Sequence, residues 1–437
     1  MNITKKTLAT VAALGIAAFV LQTSDSDTFS LRAALDASPG SSSAVQSAAQ
    51  AEAGAGSSVS RSLFTADAEA FAMDAAMPGS YAVSSYQPEP VTTSAQAGKG
   101  AAQDREVDPA AKTQAATAKM SGPVAALAMA GGPGSTEVIV SYREHPELFE
   151  DGRVEELGGE VLRHYEVLDL LAISIPNKSL IDLAIADEVE RISLDEVVLA
   201  GSAAARRAAN SPKYPSGNAA FKGTGQTIAI LDTGVAPHSD IAGTVRQYSF
   251  LNGAFPRPEI DDREIDAYNQ DSRVDGYGHG THVAGIVAGN GKGSGGQFRG
   301  PAPETTILSL QVLDADGHGQ MSDVMAALDW LLQYGSHFNV SVANLSLGKP
   351  ITESYTTDPL VAAVDAVWDS GIVVVVAAGN FGRHGYFSIT SPGNSRKVIT
   401  VGSLTDNGTG EDFSDDYAST YSSRGPTAVD HVVKPDL

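Results

Sequence analysis

The segment "QTIAILDTG", Gln226 to Gly234, determines the architecture of the second half of the chain. Its residues from Ile228 to Leu231 are all apolar, which is typical of a parallel strand buried on both faces. A strand with one face in water would alternate polar and apolar residues instead. The carboxylate of Asp232 comes at the carboxyl end of the predicted strand, where ligands bind in open α/β sheets.

Alternating strands and helices follow this segment. Four more apolar runs predict strands, at Thr305–Leu313, Val340–Leu347, Gly371–Ala378 and Lys397–Leu404. Helical spacing predicts helices between them, at Thr281–Ala288, Met321–Tyr334 and about Asp358 to Ser370. The alternation predicts an α/β domain over residues 221–437, doubly wound, with a mainly parallel sheet and helices on both faces.

A smaller α+β domain is predicted over residues 136–198. Its pattern of strands and helices is βαββαβ, the order of the ferredoxin-like fold. The helices are predicted at Pro146–Leu157 and Lys178–Asp187, and the last strand at Val189–Val198. This order alone indicates no function.

Two segments are predicted to lack a core of their own. Residues 22–135 are rich in Ala, Ser, Gly and Thr, so burial cannot offset the entropy lost on ordering them. We predict a disordered linker there. Residues 199–220 are predicted to form an exposed connector, in which Arg206 and Arg207 are open to proteolysis.

The N-terminus has the pattern of an export signal. Lys5 and Lys6 precede an apolar run from Leu8 to Leu21. That run is about 14 residues long, shorter than the roughly 20 that a spanning helix needs. We predict a signal peptide at residues 1–21 and a secreted, periplasmic or cell-envelope protein. An uncleaved anchor that attaches the chain to a membrane and a buried helix are the alternatives.

The composition excludes several classes of protein. The 437 residues contain 29 Lys and Arg against 52 Asp and Glu, a formal net charge of −23. No basic stripe is visible, so nucleic acid is not expected as a partner. The absence of cysteine excludes disulfides, thiol nucleophiles and cysteine-ligated zinc.

Polar residues at the predicted strand ends allow several interpretations. His279 and His282 in "GHGTH" lie three apart, whereas the zincin motif H-E-x-x-H places its histidines four apart around a glutamate. One catalytic base and one packing histidine are therefore favoured over a metal site. Asp232 in "DTG" and Asn380 in "AAGN" also fit ordinary turns. "NLSLG", Asn344 to Gly348, fits a strand that ends in a glycine turn.

Taken in order, these motifs resemble those of the subtilisin-like serine proteases, the subtilases or peptidase family S8. They are "ILDTGV", "GHGTHVAG", "NLSLG" and "AAGN". Thr136 to Val198 resembles the inhibitory, I9-like propeptide of that family. The resemblance implies a secreted endopeptidase precursor that hydrolyses proteins or peptides and whose own propeptide is an intramolecular inhibitor.

The resemblance also implies a role for each site residue. Asp232 would orient His279, the general base, and Asn380 would donate a hydrogen bond to the oxyanion. No cofactor is required, and Asp240 matches a position for a structural calcium ion. One cleft wall would pair with an extended peptide through its backbone and the other would face it, with Thr390 near the floor of the pocket. The walls would be Ser346, Leu347 and Gly348 with Gly317, His318 and Gly319 on one side, and Ala377, Ala378 and Gly379 on the other.

The sequence departs from the family in one respect. The catalytic serine of subtilases lies in a Gly-Thr-Ser-Met-Ala segment, and this sequence has none. "SSRGPTAVDHVVKPDL", Ser422 to Leu437, resembles a stretch upstream of that serine. We therefore expect a partial catalytic domain without its nucleophile, inactive as it stands. A pseudoprotease or a peptide-binding module is the alternative.

Overall fold

Two short helices come first in the part of the chain that the structure describes. The computed structural model describes residues 109–146, 148–201, 222–241, 245–256, 274–296, 298–405, 407 and 413–437. Helices α1 (Pro109–Ala118) and α2 (Gly122–Ala130) fall within the predicted linker. The predicted signal or anchor and most of the linker lie outside the described residues. Within the ranges just given, no helix is both long and apolar enough to cross a membrane.

The prediction of disorder is wrong for residues 109–130, because they carry a stripe of apolar side chains. Ala116, Met120, Val124 and Ala128 recur at every fourth position and are all buried. They pack into the core of the small domain that follows. Side chains this small and this widely spaced bury too little area to form a core alone, which is why the sequence analysis discounted them. They are sufficient to dock two helices on a core that already exists.

An antiparallel four-stranded sheet forms the small domain. Its elements are β1 (Ser135–Tyr142), α3 (Leu148–Glu156), β2 (Glu160–His164), β3 (Leu170–Pro176), α4 (Leu180–Ala184) and β4 (Val189–Leu194). The strand order is β2-β3-β1-β4, and the chain follows the βαββαβ order expected from the sequence. Alternate residues bury opposite faces of the sheet. Val138 and Val140 belong to the small domain's own core, whereas Ile139 belongs to the core of the larger domain.

The predicted last strand, Val189–Val198, is in fact two strands in different sheets. β4 ends at Leu194, and β5 (Val197–Ala200) pairs with strands of the larger domain. The prediction of an exposed connector is therefore wrong for its first two residues, 199 and 200. Residues 202–221, with Arg206 and Arg207, lie outside the described residues.

Two carboxylates between β4 and β5 bind the larger domain and so account for the change of sheet. Asp195 accepts a hydrogen bond from Ser322 N at 3.0 Å, and Glu196 accepts one from Lys349 Nζ at 2.7 Å. Lys349 is buried, so its ion pair with Glu196 is shielded from water. A sequence pattern that treats these acids as solvent-facing strand residues cannot show that they have partners far along the chain.

A six-stranded parallel sheet forms the centre of the larger domain. Its strands are β6 (Thr227–Asp232), β7 (Val245–Ser249), β8 (Thr306–Gln311), β10 (Val340–Leu345), β12 (Val373–Ala377) and β13 (Ile399–Val401), and β9 (His318–Gln320) and β11 (Leu347–Gly348) lie outside it. The order is β13-β12-β10-β6-β8-β7. Strands β7 and β8 lie on one side of β6, and β10, β12 and β13 lie on the other. Asp232 therefore ends a strand at the topological switch point, where ligands bind in such folds. The sequence did not predict β7, an edge strand whose "VRQYS" has only two apolar residues, Val245 and Tyr248.

Helices cover both faces of this sheet. Helix α5 (His279–Ala288) packs on one face, and α6 (Met321–Tyr334) and α7 (Pro359–Asp369) pack on the other. The predicted doubly wound α/β fold is therefore confirmed. The small domain lies against α6 and α7, since Ile139 and Tyr165 share their core cluster.

Helix α6 holds the small domain through a buried carboxylate. Asp329 has no exposed surface, and its oxygens accept hydrogen bonds from the backbone N–H groups of Glu166, Val167 and Leu168 at 2.8 to 2.9 Å. These three residues lie in the connection between β2 and β3. A carboxylate that accepts several amide N–H groups is satisfied in the interior without a cation.

We expect Asp329→Ala to weaken the packing of the small domain on α6. The change leaves three backbone donors without their acceptor, and we expect a loss of about 2–4 kcal/mol in the free energy of unfolding. Denaturant titration of the chain measures it. Asp369→Ala is the control, since the exposed Asp369–Lys397 ion pair is worth less than about 1 kcal/mol. Equal losses in the two variants would contradict the assignment.

Candidate active site

A buried histidine–carboxylate pair lies at the carboxyl end of β6. Asp232 is the last residue of this strand and His279 the first residue of α5. Nδ1 of His279 lies 2.7 Å from Oδ1 and 2.8 Å from Oδ2 of Asp232. The side chains are 3% and 1% exposed. The N–H of Nδ1 therefore donates to the carboxylate, which leaves Nε2 as the ring nitrogen for proton transfer.

Two glycines let the helix approach the strand this closely. A Cβ at Gly280 would lie 2.1 Å from Gly234 O and 3.1 Å from Asp232 Cβ. Gly234 has φ 112°, and a Cβ there would lie 2.2 Å from Val274 O. Neither position admits a side chain. The motifs "DTG" and "HGT" thus contain the paired side chains, Asp232 and His279, and also the glycines, Gly234 and Gly280, at positions where a Cβ would not fit.

Opposing influences set the pKa of His279. Burial alone would lower it, because the charged ring loses solvation. The Asp232 charge and hydrogen bond, the Asp275 charge and a hydrogen bond to the backbone of Gly201 outweigh burial, and the pKa is raised above its ordinary value. Asp232 thus stabilises the imidazolium that forms when the ring accepts a proton.

The second histidine of the motif differs from the first. His282 lies one turn along α5 at the surface, where partial burial of its ring lowers its pKa, and its packing role stays a prediction. No group of three or more histidine, aspartate or glutamate side chains that could hold a metal occurs in the described part of the chain. Of the two histidines of the motif, only His279 bonds a carboxylate in the geometry that a catalytic base requires.

One wall of a cleft beside the pair is built from two short strand edges. The chain's own strand β5 lies antiparallel between β9 and β11. Ala200 N donates to Gly317 O at 2.9 Å, and Gly201 N donates to Ser346 O at 2.7 Å. The structure thus places the residues predicted to pair with an extended peptide, from Gly317 to Gly319 and from Ser346 to Gly348, around such a segment.

The opposite wall comes from the end of β12. Ala378, Gly379 and Asn380 share a cavity with His279 and Gly201. Thr390 lies between the two walls: a Cβ at Gly348 would lie 2.6 Å from Thr390 Oγ1, and a Cβ at Gly379 would lie 2.8 Å from it. The Thr390 side chain therefore occupies space between Gly348 and Gly379.

The structure adds residues that the sequence analysis did not single out. Asp275 accepts hydrogen bonds from the N-terminal turn of α5, and Thr233 bonds both Asp232 and Gly280. The signal for Asp275 was an acidic residue just before a predicted helix, a common feature of helix starts. Gly201 had no signal, because its position depends on the fold of the larger domain.

The residues around Asp240 offer hydrogen-bond donors to its carboxylate. Gly293 N donates to Asp240 Oδ1 at 2.6 Å, and Asn290 N donates to the backbone carbonyl of Asp240 at 2.8 Å. A calcium ion takes six to eight oxygen ligands. Calcium at Asp240 stays a prediction, and these contacts do not support it.

Comparison with known proteins identifies the family of the larger domain. The sequence profile described as "Subtilase family" matches residues 223–437. Serine protease AprX of Bacillus subtilis (strain 168) is 36% identical over 261 residues, 58% of this chain and 55% of AprX. Subtilisin DY of Bacillus licheniformis is 36% identical over 196 residues, 44% of this chain and 62% of that protein. Minor extracellular protease Vpr of Bacillus subtilis (strain 168) is 30% identical over 266 residues, 60% of this chain and 30% of Vpr.

Through residues 223–437 the chain belongs to the subtilase family of subtilisin-like serine proteases. The resemblance seen in the sequence motifs is thereby confirmed. The chain spans 55% of the length of AprX and 62% of the length of subtilisin DY.

We expect Asp232→Asn to lower the pKa of His279. With the carboxylate charge gone, burial acts on the ring with less opposition, so the ring loses its proton at a lower pH. A pH titration of the histidine ring signals by NMR measures the change. The pKa of His282, which burial and the charge of His279 both lower, is the internal comparison and should not fall, because the variant removes no negative charge that acts on it. An unchanged pKa of His279 would show that Asp232 does not stabilise its charged form.

Proposed function

We propose that this chain is part of a secreted serine endopeptidase precursor that hydrolyses peptide bonds with Asp232 and His279 as the orienting carboxylate and the base. One observation carries the proposal: the buried pair faces the end of an extended segment that two strand edges hold by its backbone. That arrangement presents the backbone of Gly201 to the ring of His279, which hydrogen-bonds it. The membership of residues 223–437 in the subtilase family supports the same reaction.

The chemistry follows from the position of His279. Its Nε2 would accept a proton from a serine hydroxyl as that oxygen attacks the carbonyl, and would return it to the leaving amine. Asp232 would stabilise the imidazolium between the two transfers. Asn380, on the opposite wall of the cavity, would donate to the developing oxyanion. The proposal assigns no serine of these 437 residues as the nucleophile, because none lies in a Gly-Thr-Ser-Met-Ala segment.

The small domain is the inhibitor in this proposal. β5 fills the cleft in the antiparallel pairing that an extended substrate would adopt, so substrate is excluded while the small domain is docked. The bond that follows Gly201 is presented to His279, since the ring hydrogen-bonds the Gly201 backbone. We assign this bond as the maturation site. A Cβ at Gly201 would lie only 3.1 Å from Ser346 O, which accounts for a residue without a side chain at that position.

A peptide-binding module without hydrolysis is the second candidate. The observation that favours it is that the capture of β5 uses only backbone groups of β9 and β11 and requires no nucleophile. It predicts saturable binding of extended peptides with no product formed.

The export signal supports secretion. Lys5 and Lys6 before an apolar run fit a signal peptide, and one relative is named as an extracellular protease. Attachment through an uncleaved N-terminus is the alternative. The N-terminal sequence and cellular fraction of the expressed protein distinguish the two.

The two histidines test the reaction. We expect the product of the whole reading frame that encodes these residues to hydrolyse casein. His279→Ala should lower kcat by about 10⁴-fold or more, since it removes the base, whereas His282→Ala should leave it within about twofold. Peptide binding without hydrolysis in the unaltered protein would favour the second candidate. Equal residual activity in the two variants would show that His279 is not the base.

The maturation site is tested by the same protein. We expect the N-terminus of the mature form, read by mass spectrometry, to be Ser202. Gly201→Val should slow its appearance, because a Cβ at Gly201 already lies 3.1 Å from Ser346 O and the larger side chain would disturb the backbone pairing of β5. Replacing both Arg206 and Arg207 by alanine is the control and should change nothing. A mature N-terminus beside those arginines would contradict the assignment.

A further inference from the structure

The carboxylate of Asp275 lies at the centre of the hydrogen bonds that surround the histidine–carboxylate pair. Its Oδ1 accepts from Thr233 Oγ1 at 2.8 Å and from Gly278 N at 2.7 Å. Its Oδ2 accepts from Thr281 N at 2.8 Å and from Thr281 Oγ1 at 2.6 Å. All four donors lie in, or directly beside, the two elements that carry Asp232 and His279.

Helix α5 depends on Asp275 for its N-terminal donors. The residue before the helix is Gly278, with φ 91°, and it has no side chain with which to cap the first turn. Asp275 supplies the missing acceptor for the N–H groups of Gly278 and Thr281. Another early donor, Gly280 N, bonds Thr233 Oγ1 at 2.9 Å. The turn that begins with His279 is thus fixed by side chains outside the helix.

The Thr233 hydroxyl joins this turn to the strand end. It has a single proton and lies near two carboxylates, at 2.8 Å from Asp275 and 3.3 Å from Asp232. The shorter distance assigns the proton to Asp275, while the same oxygen accepts from Gly280 N. Asp232 Oδ1 is therefore held chiefly by Thr233 N at 2.7 Å and by the ring of His279.

The Thr281 hydroxyl makes a second connection. It donates to Asp275 and accepts from Ala236 N at 2.9 Å, so it joins α5 to the loop that follows β6. Asp275 therefore accepts from two threonine hydroxyls, that of Thr233 after β6 and that of Thr281 in α5. The Thr233 hydroxyl in turn accepts from a backbone N–H of α5, and the Thr281 hydroxyl accepts from one in the loop after β6. Neither connection passes through Asp232 or His279.

We propose that Asp275 is a positioning residue, which holds the first turn of α5 against the end of β6 and thereby fixes the distance and orientation between Asp232 and His279. This inference rests on the proposed reaction for the role of the pair, and on the hydrogen bonds alone for the role of Asp275. The charge of Asp275 also favours the protonated form of His279.

Asp275→Asn tests the proposal. A carboxamide has one acceptor oxygen and presents an NH₂ group to the remaining donors, so it satisfies only one of the two pairs of bonds. We expect kcat to fall by about ten- to hundredfold with little change in KM, since the base is misplaced while the cleft is intact. The acid limb of the pH profile should move to lower pH, because the ring of His279 loses a stabilising negative charge.

Asp430→Asn is the matched control. Asp430 also joins separate parts of the chain through a hydroxyl and an amide, Ser354 Oγ at 2.7 Å and Tyr355 N at 2.8 Å, but bonds neither element of the pair. This variant should keep kcat and the pH profile unchanged whatever stability it loses. Loss of kcat as large as in Asp275→Asn would reduce the role of Asp275 to stability and overturn the proposal.

A measurement on the 437-residue chain separates this proposal from the proposed reaction. NMR of the His279 ring reports its pKa and the hydrogen-bonded Nδ1 proton without any hydrolysis. We expect Asp275→Asn to lower that pKa and to shift that proton resonance. If this variant does not fold, Thr233→Val removes one connection, leaves the Asp275 charge in place, and should shift the Nδ1 proton. Unchanged ring signals in the folded variant overturn the proposal, whether or not the protein hydrolyses peptides.

Discussion

The close contact between the first turn of α5 and the end of β6 is the constraint on which the site depends. A carboxylate and an imidazole that are distant in sequence share two short N···O contacts only because the backbones on either side carry glycine. Both side chains are buried, so the ring keeps its proton affinity through the charge of its partner rather than through water. Any change that separates the two backbones would leave a buried carboxylate without its donor and a buried ring without its counter-charge.

The same contact orients the remainder of the cleft. Because the sheet is parallel, the ends of β6, β8, β10 and β12 meet at one edge. β6 ends at Asp232, the segments after β8 and β10 form one wall of the cleft, and the end of β12 forms the other. The small domain adds the fourth component, β5, from outside the sheet. Its hold on the larger domain does not depend on the cleft alone, since Asp329 bonds three backbone amides of the small domain at a separate place.

The sequence predicted most of the larger domain and fewer features of the small one. Helix α6 has the predicted bounds, Met321 to Tyr334, because its apolar stripe has a clear helical period. β7 was missed because its two apolar residues, Val245 and Tyr248, form neither an apolar run nor an alternating pattern. Helices α1 and α2 were missed because alanine contributes little area unless another core receives it. The partners of Asp195, Asp275 and Asp329 lie far away or across a turn, where local patterns carry no information.

The position of β5 has a consequence for the state of the substrate. An extended segment in this cleft has strand edges on both sides, at β9 and β11, so both of its own edges must be unpaired before it enters. The N–H and C=O groups of a strand inside a folded sheet already hydrogen-bond the neighbouring strands, so they cannot also bond the strand edges of the cleft. Under the proposed function, the cleft would discriminate by chain conformation before it discriminates by side chain, and would accept loops, termini and unfolded segments in preference to intact sheets.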